Sequence, residues 1–263
     1  TASASVAEGV TTVGDYDLSD SDSTDAVDSC SDSGDDAGDF TPSKVDGDTC
    51  RIAFTSAPDY ESPADTGTNN VYNVNLIASD GSNTDTIALT ITVTDANDNA
   101  PVFSDGATDS VSVAEGVTAV GDYDLTDADT TDPLDTNGCT DGGADAGDFT
   151  PTRVDGDTCR IAFSATPDYE SAADADTNNV YVVNLIGTDA GSNADTITLT
   201  VTVTDLNDNA PVFSAGATAS ANINEGVTTV SDYDLTDADS TDPLASNGCT
   251  DGGADAGDFT PTR

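Results

Sequence analysis

The sequence contains no histidine, tryptophan or methionine, and only five of its 263 residues are lysine or arginine. Without histidine a Ser–His–Asp triad cannot form, and a zinc site is disfavoured. The formal net charge of −46 excludes nucleic acid as a partner and argues against an anionic membrane surface. No apolar run is long enough to span a membrane, and no signal peptide or initiating methionine is present. We therefore expect a processed chain or a segment of a longer one.

Glutamate is also scarce, since it accounts for only five of the 51 acidic residues. The five are Glu8, Glu61, Glu115, Glu170 and Glu225, and the remaining acids are aspartate. So large a negative charge indicates either condensed cations or a high-salt environment, in which electrostatic screening lengths are short.

An internal repeat of 107 to 110 residues dominates the chain. Residues 137–153 are identical to residues 247–263, and residues 45–54 are identical to residues 154–163. A period of this length indicates one domain per repeat rather than a short solenoid unit. We predict repeat 1 at 1–100, repeat 2 at 101–210 and an incomplete repeat 3 at 211–263. Repeat 3 lacks the counterparts of two strands, so we expect either a longer chain or another subunit that donates them.

Strand periodicity recurs in every repeat, whereas helix signals are absent. From 196 to 204 threonine alternates with Ile197, Leu199, Val201 and Val203, which predicts a strand with one apolar face. About seven such strands are expected in each 110 residues. The predicted fold class is all-β, with tandem seven-stranded Greek-key β-sandwiches of immunoglobulin-like architecture arranged end to end as a rod.

Two further segments have a clear prediction. Asp155-Gly156 lies between two short strand patterns and predicts a tight hairpin turn. Residues 127–148 are rich in Asp, Gly and Ser without apolar periodicity, which predicts a long surface loop.

The cysteines pair by position within each repeat. Cys30 and Cys50 are twenty residues apart, as are Cys139 and Cys159, whereas Cys249 has no partner in the sequence. Two cysteines per repeat without a Cys-x-x-Cys motif favour a disulfide, with buried free thiols as the alternative. A disulfide would indicate an oxidising, extracellular location.

The junctions between repeats are rich in oxygen donors. Residues 95–103 and 205–213 are near copies that follow the threonine-alternating strand and precede the next repeat. Calcium takes six to eight oxygen ligands, and a cation would offset the repulsion among crowded carboxylates.

Five acidic motifs recur in order along the repeats. Repeat 2 has a Glu after its first strand, then Asp-x-Asp, Asp-x-Glu, an Asp after the strand that begins at Tyr181, and Asp-x-Asn-Asp-Asn-Ala-Pro-x-Phe. Taken together, these motifs resemble those of a cadherin domain of the type found in tandem in bacterial surface proteins. The resemblance covers both full repeats and the first half of the third. The Glu-Gly after the first strand, in place of the common Glu-Asn, and the acidic loop with its cysteines depart from the family pattern.

The resemblance implies about three calcium ions at each junction, held by side chains of both repeats. The first junction would use Glu8, Asp59, Glu61, Asp95, Asn97, Asp98, Asn99, Asp127, Asp129 and Asp189. The second would use Glu115, Asp168, Glu170, Asp205, Asn207, Asp208, Asn209, Asp237 and Asp239. Asp20, Asp22 and Asp80 would face a repeat that precedes Thr1.

Other interpretations of the acidic residues are weaker. A single Asp-x-Asp in so acidic a chain is better explained as a turn or solvated surface. An EF-hand fails because Ala100 and Ala210 stand where glycine is needed, and Gly106 and Gly216 where the closing glutamate should be. Paired carboxylates could serve a glycosidase, but these acids already have ligand roles and no aromatic cleft is indicated, so we predict no enzyme.

The sequence therefore predicts an extracellular structural protein, the calcium-rigidified shaft of a surface filament, fibril or long adhesin. Its partners would be further copies of the same repeat, in the same chain or in neighbouring subunits, with O-linked glycans on threonine as a further expectation. One alternative is a calcium-dependent adhesion protein whose repeats bind a partner directly. The other is an acidic stalk adapted to high salt, in which calcium is secondary.

Overall fold

The structure is a computed structural model, and it describes residues 1–21, 27–130, 133–239, 244 and 248–263. These residues form two compact units. The first unit comprises Thr1–Pro101, Thr126–Pro133 and Asp189–Asn193. The second comprises Val102–Leu125, Leu134–Thr188 and Ala194–Arg263. The first unit therefore includes two short segments that come later in the chain than its own sandwich.

Seven strands form the β-sandwich of the first unit. They are β1 (Ala2–Ala7), β2 (Thr12–Asp17), β3 (Ser29–Ser33), β4 (Ser43–Lys44), β5 (Thr49–Ala53), β6 (Val71–Ser79) and β7 (Thr84–Thr94). One sheet has the order β1-β7-β6-β3 and the other the order β2-β5-β4. β1 runs parallel to β7, and the other pairs are antiparallel.

The second unit repeats this arrangement, with its first strand divided in two. Its strands are β8 (Val102–Phe103), β9 (Thr108–Ala114), β10 (Ala119–Thr126), β11 (Cys139–Gly142), β12 (Phe149–Arg153), β13 (Thr158–Phe163), β14 (Val180–Thr188) and β15 (Ala194–Thr204). The sheets have the orders β11-β14-β15-β9 and β12-β13-β10-β8. Short 3₁₀ helices lie at Ala37–Asp39, Ala146–Asp148, Tyr169–Ser171 and Ala256–Asp258. The all-β sandwich expected from strand periodicity is confirmed.

The core lies between the two sheets of each sandwich. Ile197, Leu199, Val201 and Val203 of β15 are buried, as their alternation with threonine predicts. Facing sheets bring Phe149, Phe163 and Tyr181 together, with ring centroids 4.6 to 5.9 Å apart. Such aromatic contacts add to the stabilisation from area burial.

Both expected disulfides are present, and each joins the two sheets of its sandwich. Cys30 of β3 bonds to Cys50 of β5, and Cys139 of β11 bonds to Cys159 of β13. Cys249 is a free cysteine. Each bridge covalently connects strands that otherwise pack through side chains alone.

The prediction of a surface loop over 127–148 is wrong in part. Residues 139–142 form β11, which pairs with β14 through its backbone, and Leu134 is only 3% exposed in the core. Leu134 is a single apolar residue in a polar segment, so it produces no hydrophobic periodicity. β11 pairs through its backbone atoms, which does not require apolar side chains. The hairpin around Asp155-Gly156 is confirmed, since β12 and β13 pair antiparallel across residues 154–157.

Several buried aspartates hold loops rather than ligands. Asp65, only 2% exposed, accepts hydrogen bonds from the backbone N–H groups of Gly67, Asn69 and Asn70. Asp36 accepts from the N–H groups of Thr66 and Asn73. Burial raises the pKa of Asp36, but these donors outweigh it and leave that pKa below its ordinary value. Backbone anchoring thus explains acids that the junction motifs do not use.

Within 211–263, the residues that the structure describes contain less regular secondary structure than either sandwich. The described part has β16 (Val212–Phe213) paired with β17 (Leu235–Thr236). Phe213 is 53% exposed, whereas its counterpart Phe103 is 2% exposed in the core of the second unit. The difference follows from the sheets available to each, because Phe103 packs against strands that Phe213 does not meet.

Candidate metal centre

A buried glutamate organises the acidic centre of each unit. Glu8 directly follows β1 and is 7% exposed. Its Oε1 accepts a hydrogen bond from Ala96 N at 2.7 Å, and its Oε2 accepts one from Tyr60 N at 2.7 Å. Glu8 therefore joins the segment after β7 to the segment that carries Asp59 and Glu61.

The equivalent glutamate of the second unit, Glu115, makes the same connections. Its Oε1 accepts from Leu206 N at 2.6 Å, and its Oε2 accepts from Tyr169 N at 2.8 Å. Aspartate has a shorter side chain and could not span both segments from this backbone position. The reach of the side chain explains why glutamate occurs here in so aspartate-rich a sequence.

The segment after β7 is held by residues from the later loops of the first unit. Asp95 accepts hydrogen bonds from the backbone N–H and the hydroxyl of Thr130. The amide of Asn193 donates to the Asn97 side-chain oxygen at 3.2 Å and to its carbonyl at 3.4 Å. A Cβ at Gly191 would lie 2.6 Å from the backbone carbonyl oxygen of Asn97, so the close approach of the two segments requires glycine.

The Asp-x-Asp pair at Asp127 and Asp129 completes the first centre. Asp129 accepts from Asn99 N at 3.0 Å and from Asn99 Nδ2 at 2.8 Å. Asp189, 2% exposed at the end of β14, accepts from the backbone and amide N–H groups of Asn193. Backbone and amide donors thus orient these carboxylates toward one another.

Among the described residues of the first unit, three overlapping carboxylate clusters result. In each, one oxygen per residue lies within 4.8 Å of the others. The clusters are Glu8, Asp59 and Glu61; Glu61, Asp98 and Asp129; and Asp127, Asp129 and Asp189. Seven of the side chains predicted for this junction are therefore brought together.

The second unit has two clusters of the same kind. They are Glu115, Asp168 and Glu170, and Glu170, Asp205 and Asp239. Asn209 connects them, since its amide donates to Asp239 at 2.9 Å, to Asp208 at 3.1 Å and to Glu170 at 3.1 Å. Glu115, Asp168, Glu170 and Asp208 also line one open cleft.

Crowding disfavours the ionised form of several of these carboxyl groups. Burial and the charges of Glu8 and Asp129 raise the pKa of Glu61 and of Asp98. Burial, with Asp129 and Asp189 nearby, raises the pKa of Asp127. In the second unit burial and neighbouring carboxylates raise the pKa of Glu170 and Asp208. A bound cation would remove this penalty.

The donor set fits a hard cation such as calcium. The clusters present carboxylate and amide oxygens, which calcium prefers, and neither histidine nor cysteine contributes. Asp95 Oδ1 and Asp127 Oδ2 are buried oxygens with no hydrogen-bond partner among the described residues. Buried oxygens of this kind are expected to have a partner, and a cation would supply one.

The remaining predicted residues lie in different surroundings. Asp237 accepts a hydrogen bond from Asp239 N, and Asn207 lies in the segment after β15. Asp20 and Asp80 line one shallow cleft of the first unit, and among the described residues neither belongs to a carboxylate cluster. Asp22 lies outside the described residues.

Sequence analysis missed Thr130, Gly191 and Asn193, which contact the predicted side chains. A signal existed for Gly191 and Asn193, since Gly-Ser-Asn follows Asp80 directly and follows Asp189 after one alanine. Asn83 donates to Asp80 in the same way that Asn193 donates to Asp189. Such supporting donors keep the carboxylates in place.

The structure resembles solved cadherin structures, whereas no protein-family model and no curated protein matches the sequence. Mouse cadherin-23 EC22-24 aligns with a TM-score of 0.61 and 20% identity over 91% of this chain and 75% of that chain. The protocadherin gammaB4 extracellular domain aligns at 0.60 and 24%, over 92% and 38%. The protocadherin gammaB7 EC3-6 cis-dimer structure aligns at 0.58 and 22%, over 94% and 56%. The fold is therefore that of cadherin extracellular repeats. In the described residues, no helix has the length and apolar character needed to cross a bilayer.

Proposed function

We propose that this chain, which has the fold of cadherin extracellular repeats, is the calcium-stiffened shaft of an extracellular filament, fibril or long adhesin. The observation that carries the proposal is that carboxylates of the Glu, Asp-x-Glu and Asp-x-Asp motifs form clusters in both units, with oxygens within 4.8 Å of one another. The two disulfides support an extracellular location.

Calcium would be held by the clustered carboxylates together with Asn97, Asn99, Asn207 and Asn209. When bound, it supplies positive charge that offsets the repulsion among them. The chain's own residues position the ligands: Glu8 connects two segments through backbone N–H groups, and Asn99 holds Asp129. Without the cation, crowded like charges favour a looser arrangement of the segments after β7 and β15.

Near-identical repeats favour a spacer over a recognition tip, because each repeat offers the same surface. Further copies of the repeat are the partners of such a shaft, and repeat 3 would be completed either within a longer chain or by strands from another subunit. A direct adhesive role is the second candidate. It would require anchor residues of a kind that the tryptophan-free sequence does not offer.

The proposal is tested by small-angle X-ray scattering of the full chain at fixed, high NaCl, with calcium and then with chelator. Calorimetric titration on the same samples measures calcium affinity. We expect an extended, stiff particle with calcium and a flexible one with chelator. Tight calcium binding without a change in scattering would contradict the shaft, and an absence of calcium binding would favour the acidic high-salt stalk.

A further inference from the structure

One face of the first sandwich carries no charge, although the chain has 51 acidic residues. In the sheet β1-β7-β6-β3, alternate residues are buried, so the residues between them face away from the core. The outward residues of these strands are Ser, Thr, Asn, Ala, Val and Ile. Representative members are Ser3, Ser5, Asn73, Ile77, Thr90 and Thr92. Asp32 and Asp85, the two acids in these strands, have the inward register.

The corresponding face of the second sandwich is also uncharged. On β11-β14-β15-β9 the outward residues include Ser110, Ser112, Val182, Asn184, Thr200 and Thr202. The acids of these strands point to the other side. Asp109 accepts a hydrogen bond from the Tyr123 hydroxyl, and Asp195 accepts one from Phe103 N. We call these two surfaces the neutral faces.

The opposite sheet of each sandwich has a charged outer surface. On β2 and β5, Asp15 and Asp17 accompany Arg51, which pairs with Asp15 at 2.6 Å. On β10 and β13, Arg160 pairs with Asp122 at 2.6 Å. Charge is therefore segregated between the two sheets rather than spread evenly over each sandwich.

We propose that the neutral faces are the surface through which two copies of this chain associate side by side. Two copies with a net charge of −46 each repel one another, and a contact that places acids opposite acids costs roughly tenfold or more in affinity for each pair. A face without charge meets its own copy without this cost. Its hydroxyl and amide groups both donate and accept hydrogen bonds, so the face is complementary to itself.

The size of one neutral face indicates that a single contact is weak. Four strands spaced about 4.8 Å apart and about seven residues long cover roughly 450 Å², whereas stable interfaces bury about 800 Å² per partner. This lateral contact adds to the proposed function but does not involve the carboxylate clusters.

Sedimentation velocity of the full chain in calcium, over a range of concentration and NaCl, tests the proposal. We expect the wild-type protein to self-associate more strongly at about 1 M NaCl than at about 0.1 M, because salt screens the net repulsion. The double variant Thr90→Asp, Thr200→Asp should weaken association at least tenfold. The matched control Ser43→Asp, Thr152→Asp adds the same charge to exposed positions of the opposite sheets and should change it less than twofold.

A second pair of substitutions distinguishes the effect of charge placed on the neutral faces from the effect of the net charge of the chain. Thr90→Lys with Thr200→Lys lowers the net negative charge but still places like charges face to face, so it should also weaken association. Thermal unfolding verifies that each variant is folded. A wild-type chain that stays monomeric at high salt up to its solubility limit overturns the proposal, as does equal weakening by the control. Neither outcome depends on whether calcium stiffens the chain.

Discussion

The substitution Asp127→Asn should stabilise the protein without calcium and destabilise it with calcium. Asp127 lies within 4.8 Å of Asp129 and Asp189, measured between carboxylate oxygens. At that separation and an effective dielectric constant of about 20, repulsion is roughly 3.5 kcal/mol per pair before screening. Screening and proton uptake reduce the contribution to about 1 kcal/mol per pair. The substitution should therefore stabilise the chelated protein by about 1–2 kcal/mol.

With calcium the same substitution should destabilise the protein. It removes a carboxylate whose Oδ2 has no hydrogen-bond partner among the described residues and which fits a calcium ligand. A loss of at least tenfold in affinity corresponds to about 1.4 kcal/mol. Differential scanning calorimetry of the full chain in chelator and in calcium measures both effects, and we expect changes in Tm of roughly 5 °C in opposite directions.

Asp20→Asn provides the matched control, because Asp20 has the same repeat position and belongs to no carboxylate cluster among the described residues. It should change Tm by no more than about 2 °C in either condition. An Asp127→Asn protein that melts below wild type in chelator would refute the repulsion argument. One that melts above wild type in calcium would show that Asp127 is not a ligand.

Three further outcomes follow from the structure. Replacing Cys139 and Cys159 by alanine should lower the free energy of unfolding, measured in urea, by about 3 kcal/mol, because the bridge joins residues that are twenty apart in sequence. A variant as stable as the wild-type protein would mean that the loop is held without the disulfide. The calcium-induced rise in Tm should shrink from pH 7 to pH 5. Burial and neighbouring carboxylates raise the pKa of Asp98, so protons compete with calcium for this carboxylate. The chelated protein also gains stability as pH falls, because its folded state binds more protons than its unfolded state. An increment that is constant with pH would contradict carboxylate ligands. Leu199→Ala in the core should lower the free energy of unfolding by about 3 kcal/mol in the same assay. The outward-facing Thr200→Ala should lower it by less than about 0.5 kcal/mol. Similar losses in the two variants would refute the assigned strand register.

The candidate site was predictable because its residues recur in register. Asp59 and Glu61, or Asp168 and Glu170, would mean little alone in so acidic a chain. Their recurrence in fixed order with the segment at Asp95 marked them as a set. Asn193 recurs as Asn83 and could have been found in this way. Thr130 could not, because its contact with Asp95 depends on which loops meet and not on spacing along the chain.

In the sequence, the neutral faces appear only as threonine that alternates with aliphatic residues, a pattern that predicts a strand with one apolar face. The separation of charge between two sheets required the strand order. Ser3 and Ser5 of β1 lie beside Thr90 and Thr92 of β7 only because these distant strands pair in parallel.

The strand pattern, the cysteine pairing and the acids that recur in each repeat could be predicted from the order of residues alone. These features depend on local periodicity and repetition, which need no knowledge of neighbours in space. The three-dimensional fold was needed to place Leu134 in the core and residues 139–142 in an edge strand. It was also needed to show that Asp65 anchors a loop while Asp129 joins a cluster. Each of these outcomes depends on backbone groups brought together from distant parts of the chain, and one aspartate is indistinguishable from another until those neighbours are in place.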